Sequence, residues 1–337
     1  MRGHYPRTAC KDTKKIQNTQ IFYEKKVKNV HFLGKMLIFT TIFCKNIAKH
    51  KFFLYLCALI ALNMCPNNRT LRLGDRLVVL NKPLVMAIVN ATPDSFFAGS
   101  RACDEPSLRA AFERVVSEGA DIVDIGACST RPAVQMDSDG LADEQQEWMR
   151  LQLALAVARQ MGVNLPLSVD TFRASVARRA IEEYGVSIIN DISGGTDEMF
   201  DLLAEYNVAY VLTYNRSFDE HRTDNLLSDA LAFLTRRVDE LHRRGVSDVV
   251  VDPGFGFGQT ADESLSLLAD LGALRHTGCP ILVGISRKRM AYAPQGLTPE
   301  TCLPQTLHLE RQAVDRGADI LRVHDVAPTH EMLKNRQ

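Results

Sequence analysis

Eight short apolar runs, each followed by a longer amphipathic stretch, set the pattern of this sequence from residue 84 onward. The runs are 84–89, 121–125, 167–169, 187–189, 209–212, 249–251, 281–284 and 320–323. They are nearly continuous and rich in β-branched residues, as parallel strands buried on both faces must be. Between them, apolar residues recur at helical spacing over stretches such as 105–118, 142–161, 173–184, 226–244 and 305–316. Gly119, Gly162, Gly185, Gly245 and Gly317 follow these stretches directly, where a helix end favours a left-handed residue. Strands alternating with helices over about 250 residues predict an α/β fold of the (β/α)8 TIM barrel type. An open doubly wound sheet would instead carry a glycine-rich dinucleotide loop after its first strand. Asn90-Ala91-Thr92-Pro93 is not such a loop. Ahead of the barrel, 70–80 reads as strand, Gly74-Asp75 turn and strand, a short N-terminal β-hairpin expected to cover the barrel's N-terminal mouth.

Composition divides the chain at Met64. The whole has 40 Lys+Arg and 40 Asp+Glu, a net charge of zero. Residues 1–63 hold 12 Lys/Arg and only two acids, Asp12 and Glu24, whereas 64–337 hold 28 Lys/Arg against 38 acids. The body therefore carries −10, which argues against a nucleic-acid partner. Phe, Tyr, Met, Ile, Asn and Lys make up 31 of the first 63 residues but 45 of the remaining 274, a shift from AT-rich to GC-rich coding. Two explanations compete for 1–63: a targeting or anchoring segment, or a start assigned too early, with Met64 the first residue. The apolar run 52–62 is too short for the ~20 residues of a membrane helix. About 50 residues precede it and no small-residue cleavage site follows, which is unlike a signal peptide. The early start is preferred, and 1–63 are placed outside the fold. No membrane association is expected. The eight Cys include no metal-type pair, so reduced thiols and a cytoplasmic location are expected.

Function is signalled where the strands end. Asn90, Asp124, Asp170, Asn190-Asp191, Asp252, Ser286-Arg287-Lys288 and Arg322 with His324 close seven of the eight strands. In a barrel these ends converge on one mouth, where barrel enzymes build their sites. Asp170, Asn190 and Asp252, read as lying on neighbouring strands, offer carboxylate and amide groups suited to a flat heterocycle with N–H donors. Arg131, Arg322 and His324, with Lys288 nearby, read as a cationic cluster for an anionic ligand part. Asn90 could hold that anion or its Mg2+. A heterocycle joined to a phosphate follows.

Several of these residues have simpler readings. Asp170-Thr171 could merely cap a helix, and Asp191 is expected to pair locally. The Pro253-Gly254-Phe255-Gly256-Phe257-Gly258 run lacks the ending of a phosphate loop. Its glycines are expected to let the backbone lie against a planar ligand. His221, His242, His276, His308 and His330 show no metal spacing, and Cys128 is read as inert.

The ordered motifs resemble the dihydropteroate synthase family of pterin-binding barrels. They are Asn90-Ala91-Thr92-Pro93-Asp94-Ser95-Phe96, Asp124-Ile125-Gly126, Ser129-Thr130-Arg131-Pro132, Ser168-Val169-Asp170-Thr171, Ile189-Asn190-Asp191-Ile192-Ser193-Gly194-Gly195, the 252–258 glycine run, Gly284-Ile285-Ser286-Arg287-Lys288 and Arg322-Val323-His324-Asp325-Val326. The resemblance implies condensation of 6-hydroxymethyl-7,8-dihydropterin diphosphate with 4-aminobenzoate. It implies pterin contacts from Asp170, Asn190, Asp252 and Lys288, with Asp124 at the same site. Asn90, Arg131, Arg322 and His324 would serve the diphosphate and Mg2+. Thr130, Pro132 and Ser286 would touch aminobenzoate, and Asp94 would help order the first loop. Of these, Lys288, Asp170 and Asp252 are expected to carry catalysis. A homodimer is implied too. The sequence departs from the family at Gln259, where Lys is common, over Thr213-Tyr214-Asn215-Arg216-Ser217, and at Phe97-Ala98-Gly99. Two other readings of the same barrel are a catalytically silent pterin-binding homologue and a pterin-dependent methyltransferase.

Overall fold

The computed structural model describes residues 69–91, 104–127, 144–206 and 208–335. The expectations for 1–63, Asp94, Cys128, Thr130, Arg131 and Pro132 lie outside the described residues. An antiparallel hairpin comes first, β1 (Thr70–Leu73) and β2 (Arg76–Val79), turned at Gly74 with φ 61°. Eight parallel strands follow: β3 (Leu84–Asn90), β4 (Ile122–Gly126), β5 (Leu167–Asp170), β6 (Ile188–Asp191), β7 (Ala209–Thr213), β8 (Val249–Asp252), β9 (Leu282–Val283) and β10 (Ile320–Val323). Their order is β8-β7-β6-β5-β4-β3-β10-β9. A parallel bridge between Val251 and Ile281 joins the two ends, with the Val251 N–H donating to the Pro280 carbonyl at 2.9 Å. The sheet is a closed barrel, as the alternation predicts.

Helices cover its outer face: α1 (Glu105–Ser117), α2 (Glu144–Gln160), α3 (Ala174–Tyr184), α4 (Asp197–Tyr206), α5 (Leu226–Arg243), α6 (Ala261–Ala269), α7 (Arg289–Tyr292), α8 (Leu303–Asp315) and α9 (Val326–Lys334). Their ends are written locally. Asp104 caps α1 by accepting from the Ser107 N–H at 2.9 Å. Thr260 and Glu263 form a capping box on α6. The five glycines expected to end helices all have positive φ, from 63° at Gly162 to 102° at Gly317. No described helix is long and apolar enough to cross a membrane.

Strand alternation sorts side chains into two layers. One parity faces the helices and builds the larger core, which includes Val123, Ile125, Val169, Ile189, Tyr210, Leu212 and Val251. The other parity faces the barrel axis. At its N-terminal end Met86, Ile122, Ile188, Val211, Val250 and Ile320 meet Leu71 and Leu73 of the hairpin in a separate apolar cluster. Hydrogen bonds seat the hairpin there. The Arg72 N–H donates to Asp248 at 2.8 Å, Arg76 to Asn164 at 2.7 Å and Arg69 to Asp319 at 2.6 Å. Each acceptor lies just before a strand, so the hairpin plugs the expected mouth.

Candidate active site

Two residues beyond the plug, about 6–7 Å along each strand, the same inward parity turns polar. Ile122 is succeeded by Asp124, Ser168 by Asp170, Ile188 by Asn190, Val250 by Asp252 and Ile320 by Arg322. Asp170 and Asn190 are register partners on β5 and β6. Asp252 is not their neighbour, because β7 stands between β6 and β8. The adjacency read from sequence is corrected accordingly: Asp252 stands one strand further round the barrel than Asn190 and is level with Thr213.

Arg322 organises this floor. It starts level with Met86 of the plug, so its long side chain rises to donate from Nε to Asp124 at 2.6 Å and from Nη2 to Asp170 at 2.7 Å. The same Asp124 oxygen, Oδ2, accepts from the Asn190 amide at 3.1 Å. Its other oxygen, Oδ1, is buried without a hydrogen-bond partner. A buried carboxylate oxygen without a partner is an acceptor open to a ligand donor. Burial works against Arg322's charge, but Asp124 and Asp170 outweigh it and raise its pKa. Burial pushes Asp170 up to about 7 despite Arg322, with Asp124 adding to the rise. It also raises Asp252, which Lys288 partly offsets. Asp170 is thus held by the site and does not cap a helix. Thr171 instead donates to the buried Glu147 at 2.6 Å, and Glu147 also receives Arg173.

Lys288 enters from the turn after β9. Its Nζ donates to the Phe255 carbonyl at 2.7 Å and lies 4.8 Å from the centre of the Phe257 ring. Burial lowers its pKa to about 8, with Asp252 acting in the opposite sense. The turn is unusual. Arg287 has φ 57°, the only left-handed residue other than glycine among those described. That conformation puts Ser286 and Lys288 on either side of it, and strain of this kind persists only where the surroundings impose it. Here Arg287 is clamped by Asp325, Nε to Oδ2 at 2.8 Å and Nη2 to Oδ1 at 2.7 Å, and by the Pro299 carbonyl at 2.6 Å. Sequence reasoning quoted Arg287 and Asp325 but gave them no role. Their signal was a charged pair immediately flanking assigned residues.

Ser286 Oγ accepts from the His324 backbone N–H at 3.2 Å and lies 3.2 Å from its Nδ1. The hydroxyl can donate to Nδ1 or accept from it, according to the ring tautomer. Burial, with Arg322 adding to it, pushes His324 down to about 3. The charged form of His324 is thus disfavoured, so it is read as a neutral ring where the sequence suggested a cation.

The glycine run also differs from expectation. A Cβ at Gly254 would lie 1.9 Å from the Tyr214 carbonyl oxygen, and one at Gly258 would lie 2.7 Å from the Ser217 N–H nitrogen. Those two glycines let the loop pack against the turn after β7. Gly256 alone faces the site, 3.6 Å from Lys288 Cδ by the same measure. Asp191 behaves as expected, accepting locally from the Ser193 N–H at 2.7 Å and the Tyr210 hydroxyl at 2.8 Å.

Asn90 ends β3 opposite Gly126, whose missing Cβ would stand 3.2 Å from Asn90 Oδ1. Among the described residues no group of three or more His, Cys, Asp or Glu could hold a metal. Among the described residues the mouth supplies the Asn90 amide, a carboxylate floor and the N–H donors of Asn190, Lys288 and Arg322.

The chain matches the pterin binding enzyme family over residues 86–324. It is 37% identical to the dihydropteroate synthase of Bacillus subtilis over 259 residues, 75% of this chain and 87% of that one. The structure is similar to Xanthomonas albilineans dihydropteroate synthase solved with 4-aminobenzoic acid, at TM-score 0.70 and 34% identity, covering 80% of this chain and 97% of that one. It is similar as well to the Thermus thermophilus dihydropteroate synthase solved with 6HMPPP, at TM-score 0.68 and 33% identity, covering 80% and 98%.

Proposed function

The chain belongs to the dihydropteroate synthase family of pterin binding enzymes, and on that premise we propose the reaction its site performs. It is a transferase that condenses 6-hydroxymethyl-7,8-dihydropterin diphosphate with 4-aminobenzoate to give 7,8-dihydropteroate and pyrophosphate. The observation that carries this reading is the floor itself. Arg322 binds Asp124 and Asp170 together, leaving one buried Asp124 carboxylate oxygen without a hydrogen-bond partner among the described residues.

A heterocycle with amino and lactam N–H groups supplies the missing donors. Asp124, Asp170 and Asp252 accept them, while the Asn190 amide both donates and accepts. Lys288 donates to a ring acceptor from the opposite wall. With the ring held, the bond between the methylene carbon and the diphosphate oxygen breaks, and the electron pair leaves on pyrophosphate. Positive charge develops on the methylene and is spread into the dihydropterin ring, where the surrounding carboxylates stabilise it. The neutral arylamine then bonds to that carbon through its nitrogen lone pair, and the ammonium so formed gives its proton to the departing pyrophosphate or to solvent. No strong general base is required, because the amine attacks in its neutral form.

Departure of pyrophosphate needs its charge met. Arg322 provides a fixed cation and His324 a neutral imidazole. Arg131 is assigned to the same task, and Thr130, Pro132 and Ser286 to the aminobenzoate. Mg2+ fits Asn90: a small hard ion that keeps its waters and takes substrate phosphate oxygens needs only such a single protein oxygen. When bound, it would neutralise diphosphate charge. A homodimer in the cytoplasm completes the reading, supported by the family resemblance and, for a reducing compartment, by the unpaired thiols of Cys279 and Cys302.

Purified protein supplied with both substrates and Mg2+ is expected to release pyrophosphate in step with dihydropteroate. Pterin binding without pyrophosphate release would defeat the assignment in favour of a silent homologue.

A further inference from the structure

Gln259 follows the glycine run, and its amide makes three bonds. Nε2 donates to the carbonyls of Pro253 and Gly254, both at 3.1 Å, and Oε1 accepts from the Ser264 hydroxyl at 2.9 Å. Ser264 is buried on α6, and the start of α6 is firmly anchored. Thr260 and Glu263 form its capping box, and Glu263 also pairs with Arg216 from the turn after β7. Gln259 thus ties a fixed helix end to the opening of the preceding loop.

That loop has little shape of its own. Gly254, Gly256 and Gly258 have φ of 67°, 85° and 65°, and glycine loses more conformational freedom on ordering than any other residue. Yet the loop sets two site groups. The Gly254 N–H donates to Asp252 Oδ1 at 2.7 Å, and the next carbonyl, Phe255, accepts Lys288 Nζ at 2.7 Å. Gly254 therefore receives Gln259 on its carbonyl oxygen and donates its own N–H to Asp252.

We infer that Gln259 is a positioning residue: it staples the 253–258 loop in the shape that aims Asp252 and Lys288 at the heterocycle, without touching substrate. The inference rests on the pterin diphosphate reading above and concerns only its ring-binding wall. Ser286, assigned to 4-aminobenzoate, belongs to the turn after β9, and its hydroxyl is engaged by His324.

Two variants test it. Gln259→Leu keeps approximate size and removes all three bonds; Gln259→Lys keeps donors for the two carbonyls and gives up only the acceptor for Ser264. Binding of 6-hydroxymethyl-7,8-dihydropterin is followed by its fluorescence, and KM is measured for each substrate by pyrophosphate release. Gln259→Leu is expected to weaken pterin binding about tenfold, the loss of one to two net hydrogen bonds. KM for pterin diphosphate should rise similarly while that for 4-aminobenzoate moves less than about twofold, and Gln259→Lys should recover most of the loss. Pterin binding at the wild-type level in Gln259→Leu would overturn the inference. So would an equal rise in both KM values, with a lowered unfolding midpoint that Gln259→Lys fails to restore. If Gln259→Leu does not fold, Gln259→Lys decides alone: near-wild-type pterin affinity supports the staple and a full tenfold loss overturns it. A wild-type chain that binds pterin but releases no pyrophosphate defeats the proposed reaction, and the fluorescence titration still tests Gln259.

Discussion

At the N-terminal end of the barrel, Leu71 and Leu73 close over Met86, Ile122, Ile188, Val250 and Ile320. At the other end, the same inward parity presents Asp124, Asp170, Asn190, Asp252 and Arg322, all largely withdrawn from water. Both ends are withdrawn from water, the plug more completely, but they contribute in opposite senses. The plug gains free energy from apolar burial at roughly 25 cal/mol per Å2. The floor holds charges where burial disfavours them, as the raised Asp170 and Asp252 and the lowered Lys288 record. Stability and chemistry are thus divided along the barrel axis, with the plug offsetting what the floor costs.

The division can be broken by experiment. The largest effect is expected for Lys288→Ala or Asp170→Ala, which should lower kcat/KM by on the order of 1,000-fold or more. The unfolding midpoint should stay level or rise for Lys288→Ala, because a buried charge is removed. Wild-type turnover in either variant would show that the floor is misassigned. Leu71→Ala should do the reverse. A loss of about 2–5 kcal/mol in urea unfolding should leave kcat/KM within about twofold, measured well below the midpoint. A large loss of activity in the still-folded variant would mean that plug and floor are not separable.

Two smaller effects sharpen the picture at the rim. Asp325→Asn removes the charge that clamps Arg287 and should lower kcat about tenfold, read from steady-state rates, as Ser286 and Lys288 lose their fixed relation. The pH profile of kcat/KM is the mildest test. Asp170, raised to about 7, is protonated below that pH and accepts fewer N–H donors. Lys288, lowered to about 8, loses its proton above that pH. Activity should therefore climb through about pH 7 and decline through about pH 8. A profile flat from pH 6 to 9 would show that neither group titrates as its burial dictates.

The sequence reports the scaffold well because periodicity is local. Asp124, Asp170, Asn190 and Asp252 each sit two residues past an apolar or small inward residue, a spacing legible without coordinates. What it hides is pairing between distant segments. That Arg322 spans Asp124 and Asp170, 198 and 152 residues away, has no local signature. Nor has the burial that neutralises His324, or the strand that separates Asp252 from Asn190. Arg287 was legible only as a basic residue, since a left-handed backbone at a non-glycine position is imposed by its surroundings. Gln259 stood out by its type, while its three partners did not.

The bridge between Val251 and Ile281 has one more consequence. Every other neighbouring pair of barrel strands shares a ladder of two or more register partners, whereas β8 and β9 meet at this single point. Backbone amides along that seam are expected to exchange with deuterium earliest among the barrel strands. The seam runs between the strands that lead to Asp252 and Lys288. A ring bridging those two side chains would act as a clasp across it, so ligand binding would be recorded as slowed exchange at Val251 and Ile281, in the backbone beneath the site.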